Sequence, residues 1–219
     1  MFHDGEAIGP TVLMVPGLGG SGPSHWQSLW AARRTDTSTV DFGDWNTPHR
    51  NSWVSTLDRA IANAQAPVIL VAHSLGCLAV AWWAHLSPQP YGWPVAGALL
   101  VAPADVDRPA IQEELRGFSP SPTVLLPFPS TVVASRNDPW ISAQRAHSYA
   151  AGWGSHFVDI GEVGHINAAS GIGQWPEGEE LLDRVVAAAL DGHARPRSPG
   201  DARAMLAHRQ PEARSPRLA

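Results

Sequence analysis

Val68-Ile69-Leu70-Val71-Ala72-His73-Ser74-Leu75-Gly76-Cys77-Leu78-Ala79-Val80-Ala81-Trp82-Trp83 is the stretch on which the reading of this chain turns. Four large aliphatic residues in succession, three of them β-branched, predict a strand buried on both faces; a half-exposed strand would alternate apolar with polar. From Leu75 the apolar residues continue without proline or a β-branched run, which predicts a helix over 75–86. Between the two lies a small residue, then His-Ser-x-Gly. Small residues two before and two after the serine let strand and helix pass close to a tight turn. Such a turn, a nucleophile elbow, lifts the serine side chain above the end of the sheet. Ala72 stands where glycine is the commoner choice. Ser74 is the candidate nucleophile.

Working outward, short apolar runs recur at Thr11–Val15, Thr39–Asp41, Pro67–Ala72, Val95–Ala102, Thr131–Ala134 and His156–Ile160. Helical patterns fall between them at 24–34, 51–64, 75–86, 108–116 and 141–152. A last helix opens with Pro176 and the acids Glu177, Glu179 and Glu180, which favour its positive end, and Leu182, Val186 and Leu190 recur along it at helical spacing. Strands alternating with helices predict an α/β fold, an open parallel sheet of about six strands with helices on both faces and right-handed crossovers. No internal repeat is evident.

A serine hydroxyl needs a base to take its proton and an acid to hold that base. Where the serine sits on an elbow, the chain order is serine, acid, histidine, each at the carboxyl end of a strand. Asp138 follows the strand at 131–134, within Ser135-Arg136-Asn137-Asp138-Pro139-Trp140. His165 follows the last strand, within Gly161-Glu162-Val163-Gly164-His165. Asp159 and Glu162 are rival acids but precede the histidine too closely. His25 and His49 are rival bases on other loops. For a developing oxyanion, the Leu75 N–H lies at a helix start, where unpaired N–H groups favour negative charge. The loop Pro16-Gly17-Leu18-Gly19-Gly20-Ser21-Gly22-Pro23 should give the second donor, the Leu18 N–H. That loop lacks the G-x-G-x-x-G spacing, and with no lysine in the chain it cannot be a P-loop.

Composition narrows the chemistry further. The 219 residues suit one domain with or without a tail, and 44% hydrophobic content with ten Trp excludes a mainly disordered chain. All fifteen basic residues are Arg, so a Schiff-base lysine is excluded. The one cysteine, Cys77, can form neither an internal disulfide nor a cysteine-based zinc cluster, and fits a reducing, cytoplasmic setting. The first residues show no secretory pattern, and no apolar run approaches the ~18–20 residues that span a bilayer. The segment 192–219 carries six Arg, two acids, four Pro and no aromatic residue, which predicts a disordered basic tail of charge +4. Residues 1–191 then form the folded domain with charge −9, and the acidic balance argues against nucleic acid as a partner.

Several stretches resemble the small serine hydrolases of the retinoblastoma-binding protein 9 and YdeN-like family, in the α/β-hydrolase superfamily. They are Pro16-Gly17 to His25-Trp26 with Trp30; Asp44-Trp45 with Pro48 and Trp53; Ala72 to Gly76; Asp138-Pro139-Trp140; and Gly164-His165 to Gly171 followed by Trp175-Pro176-Glu177-Gly178. The resemblance spans roughly residues 10–190. It implies a compact six-stranded parallel sheet of order 2-1-3-4-5-6 without a large lid domain, and catalysis by Ser74, Asp138 and His165 without metal or cofactor. The family's name refers to a retinoblastoma-protein partner bound through Leu-x-Cys-x-Glu. Here the cysteine reads Leu75-Gly76-Cys77-Leu78-Ala79, so that partner is not expected.

Trp26 and Trp30, at i and i+4, should anchor the first helix on the core, whereas adjacent Trp82 and Trp83 cannot share a face. Gly17, Trp45 and Trp140 are candidate pocket residues near the sheet end, where ligands bind in open sheets. Trp45 and Trp140 either line an acyl pocket or merely cover the sheet. The only room for a cap is a short Pro-rich stretch between Val101 and Thr131, which suits small substrates. The expectation is a serine hydrolase acting on small carboxylic esters, or amides, through an acyl-enzyme. A non-catalytic binding module on the same fold, or an acyltransferase using the same residues, are the alternatives.

Overall fold

The computed structural model describes residues 9–194. Its strands are β1 (Thr11–Val15), β2 (Thr37–Thr39), β3 (Val68–His73), β4 (Val95–Val101), β5 (Ser130–Ala134) and β6 (His156–Asp159). All neighbours pair in parallel, in the order β2-β1-β3-β4-β5-β6. The helices are α1 (Trp26–Ala31), α2 (Arg50–Asn63), α3 (Leu75–Leu86), α4 (Ala143–Trp153) and α5 (Pro176–Ala194). The expected sheet and strand order are what the chain adopts. The tail expected from residue 192 lies, beyond Ala194, outside the described residues.

The uninterrupted apolar runs map onto the middle of the sheet. Every residue of β3 and of β4 is buried, as strands covered on both faces require, whereas β2 and β6 are partly exposed edges. Alternation along each strand sorts its side chains into two cores. Leu13, Val15, Leu70, Ala72 and Leu100 face α2, α3 and α4; Val12, Met14, Ile69, Val71, Leu99 and Val101 face α1 and α5. Trp26 and Trp30 are fully buried in the second core, as the i, i+4 spacing predicted. Trp83 is buried while Trp82 stays partly exposed under the Arg50 guanidinium.

Three local expectations are corrected. The second strand covers 37–39 rather than 39–41, although Val40 N–H still bonds the Met14 carbonyl at 2.9 Å. The helix expected at 108–116 is absent. In its place stand turns and a 3-10 segment over Glu113–Phe118. One local side-chain bond, and others that close the segment on itself, take the place of the helix there. Asp105 takes the Asp107 N–H at 3.1 Å, and the Asp107 carboxylate takes Ser119 Oγ at 2.9 Å, the Ser121 N–H at 3.0 Å and Ser121 Oγ. Third, α5 buries Leu182, Val185 and Ala189, while Leu190 is 44% exposed. At 100° per residue, positions 182 and 189 point within about 20° of each other, whereas 190 has turned about 80° away.

Candidate active site

The elbow is built where β3 gives way to α3. Ser74 has φ 54° and ψ −121°, a conformation few non-glycine residues adopt. Its N–H donates to the Val101 carbonyl at 3.0 Å and its carbonyl accepts from the Cys77 N–H at 3.1 Å, so both backbone groups are committed despite the sharp turn. Gly76 is required sterically, since a Cβ there would collide with the carbonyl oxygens of Val15 and Pro16. Gly17 is required by the loop after β1; a Cβ there would lie 2.9 Å from Ser74 Cβ and 3.2 Å from Leu75 N. Gly17 thus lets the loop after β1 approach the elbow closely.

Ser74, Asp138 and His165 meet above the carboxyl edge of the sheet. Ser74 Oγ lies 2.8 Å from His165 Nε2. His165 Nδ1 lies 2.8 Å from Asp138 Oδ2 and 3.0 Å from Oδ1. Because the carboxylate can only accept, Nδ1 carries the imidazole proton and Nε2 presents its lone pair to the serine. Asp138 and His165 are each 8% exposed, so water competes little for these bonds. The acid is further oriented by the Trp140 N–H, which donates to Oδ1 at 2.8 Å.

The acid and histidine loops are also bonded to each other. Asn137 Oδ1 accepts the Gly164 N–H at 2.7 Å, and Ser135 Oγ accepts the Val163 N–H at 2.9 Å. These contacts, and the Trp140 N–H, escaped the sequence reading. Asx-type bonds at an Asn-Asp-Pro turn were the available signal. Beside the site, the Leu75 and Leu18 N–H groups have no hydrogen-bond partner among the described residues. The loop carrying Leu18 is shaped by the Gly19 N–H donating to the Trp45 carbonyl at 2.8 Å.

None of the rival residues hydrogen-bonds Ser74, Asp138 or His165. Asp159 pairs with Arg136 at 2.8 Å, and Glu162 is exposed. His49 is exposed at the start of α2. His25 is buried, with Nδ1 accepting the Gln27 N–H at 3.2 Å. Burial, and secondarily the nearby His165, push its pKa down to about 4. Trp45 packs its ring on the Gly20 backbone and edge-on against Phe42 and Trp53. Trp140 sits 6.0 Å from the His165 ring, with the Arg108 guanidinium 5.0 Å from its own ring centre. An open cavity of about 580 Å³ adjoins Leu18 and is otherwise lined by Asn46, Gln112, Glu113 and Glu114. Its outer wall is therefore polar and comes from the Asp107-centred loop. Among the described residues there is no cluster of three or more His, Cys, Asp or Glu able to hold a metal, and no helix long and apolar enough to cross a membrane.

A parallel sheet of this order, with a serine raised on a strand–helix elbow and a histidine and carboxylate arriving from later strand ends, defines an α/β hydrolase. A family model described as serine hydrolase matches residues 12–184, and the chain belongs to that family. Among solved structures, a YdeN-like hydrolase from Pectobacterium atrosepticum is 34% identical, with a TM-score of 0.72 over 83% of this chain and 92% of its own. The ydeN product of Bacillus subtilis is 21% identical at TM-score 0.67, covering 81% and 99%. Est1E from Butyrivibrio proteoclasticus shares the fold at 11% identity and TM-score 0.61, over 87% and 91%. No curated protein matches the chain by sequence. The YdeN-like resemblance expected from the motifs is the one found, and the protein is an enzyme of the hydrolase class.

Proposed function

We propose that the protein hydrolyses small carboxylic esters through an acyl-enzyme formed on Ser74. The observation that carries this reading is the continuous chain Ser74 Oγ, His165 and Asp138, with 2.8 Å at each link. Ser74 Oγ attacks the ester carbonyl carbon as His165 Nε2 takes its proton. The resulting oxyanion is held by the Leu75 and Leu18 N–H groups, each worth on the order of 100-fold or more in rate. The intermediate collapses, and His165 returns the proton to the departing alcohol oxygen. Water, deprotonated by His165, then attacks the acyl carbon and frees Ser74. Asp138 keeps the histidine in the reactive tautomer and stabilises its charged form.

Among the described residues only the short segment between β4 and β5 could overhang the sheet end, and with the open cavity of about 580 Å³ this favours small substrates. The buried Cys77, whose thiol pKa burial pushes up, is inert and in keeping with a cytoplasmic setting. A fluorophosphonate probe should label the wild type at Ser74, and Ser74→Ala should abolish labelling while the protein stays folded. A folded wild type that neither labels nor turns over any short-chain ester would overturn the proposal. Product analysis with an added acceptor alcohol separates hydrolysis from acyl transfer.

A further inference from the structure

We propose that His73, the residue before the nucleophile, is a positioning residue for His165 that acts with Trp26 to pin the loop carrying it; this rests on the reading of His165 as the base. His73 ends β3 and continues the Ile69–Val71 side of the strand, where α1 packs. Its ring is 5% exposed, 4.7 Å from the His25 ring and 4.9 Å from the His165 ring. Its Nε2 lies 3.0 Å from the His165 carbonyl oxygen. A carbonyl can only accept, so Nε2 must carry the proton and His73 donates. Burial, with the neighbouring His165 and His25, holds its pKa well below the ordinary histidine value, which keeps it a neutral donor.

The next carbonyl along is held in the same way. Trp26 Nε1–H donates to the Ile166 carbonyl at 2.8 Å. Ile166 is fully buried with φ 50°, a left-handed conformation that a β-branched residue keeps only where its surroundings over-determine it. Two ring N–H groups on successive carbonyls supply that constraint. The bonds from Ser135 and Asn137 tie the histidine loop to the acid's loop alone. His73 instead ties it to the residue covalently joined to Ser74. It therefore fixes the base relative to the nucleophile, across the 2.8 Å contact that must be reproduced in every turnover.

The test compares His73→Gln, which keeps an N–H donor near the Nε2 position, with His73→Met, of similar length but without a donor. With a short-chain ester, His73→Met should lose about 10- to 100-fold in kcat with KM within about twofold. His73→Gln should recover to within about threefold, and the rate of probe labelling at Ser74 should follow kcat. Equal activities in the two variants, or a loss confined to KM, would overturn the proposal. ¹⁵N spectra of the wild type, with His73 assigned by difference, should show a neutral Nε2–H imidazole across the pH range of activity. A δ-protonated or charged His73 there would overturn it whatever the activities of the variants. A wild type that never labels would refute the ester-hydrolase reading instead, and the ¹⁵N result would still decide the His73 bond.

Discussion

Replacing Ser74 by glycine should stabilise the protein relative to replacing it by alanine. The φ of 54° and ψ of −121° at this position cost a non-glycine residue roughly 1–3 kcal/mol. Both substitutions remove the Oγ–His165 bond, so that loss cancels in the comparison. Glycine lets the turn relax but adds unfolded-state entropy of about 0.5–1 kcal/mol. The balance favours Ser74→Gly over Ser74→Ala by about 1 kcal/mol, roughly 2–4 °C in Tm for a domain of this size. At an unstrained site the order reverses, with glycine worse by about 0.5–1 kcal/mol. Urea unfolding followed by tryptophan fluorescence, compared at equal slopes, separates the two cases. Should Ser74→Gly prove the less stable variant, the elbow stores no strain and the account of its geometry given above is wrong.

Gly76→Ala should cost about 3 kcal/mol in the same assay, because its Cβ meets backbone carbonyls of Val15 and Pro16 that cannot retreat without breaking β1. Gly117→Ala, with open space around the added Cβ, should stay within about 0.5 kcal/mol of wild type. Stability should also fall in mild acid. His25 has a folded pKa of about 4 against an unfolded value near 6.5, so below that value the unfolded chain binds protons the folded one refuses. The loss begins near pH 6.5, reaches about 2 kcal/mol at pH 5, and levels off below the folded pKa; His73 adds to it with the same sign. Calorimetric Tm across this range should show the decline, and His25→Asn, which keeps an acceptor for the Gln27 N–H but cannot titrate, should lessen it and leave the share of His73.

The fold was readable because its signals are local and repeated. Six apolar runs of strand length, alternating with helical patterns, leave few arrangements other than a parallel sheet. Chain order then placed Ser74, Asp138 and His165 at strand ends without any contact being known. What could not be read depends on contacts between distant segments. The helix expected at 108–116 gives way because Asp107 finds Ser119 and Ser121, partners whose proximity is a tertiary fact. The α5 stripe was misjudged by one residue because Val186 and Leu190 fit helical spacing as well as Val185 and Ala189 do. Only the position of the sheet chooses between them. His73 drew no notice beside the serine, since nothing local indicates that a loop ninety-two residues on brings its carbonyl to that ring.

The loop centred on Asp107 carries a consequence for how this enzyme can change over generations. Asp107 at one end and Ser119 with Ser121 at the other close the segment on itself, and Arg145 of α4 fastens the closure through Asp105 and Asp107. Between these anchors Gln112, Glu113 and Glu114 line the cavity, and none of their side chains is among those that close the segment. Mutational drift can therefore rewrite this wall of the cavity while the anchors, the sheet and the reacting groups stay untouched. On the ester-hydrolase reading proposed above, substitutions in that wall would alter which substrates are taken and leave the chemistry as it is.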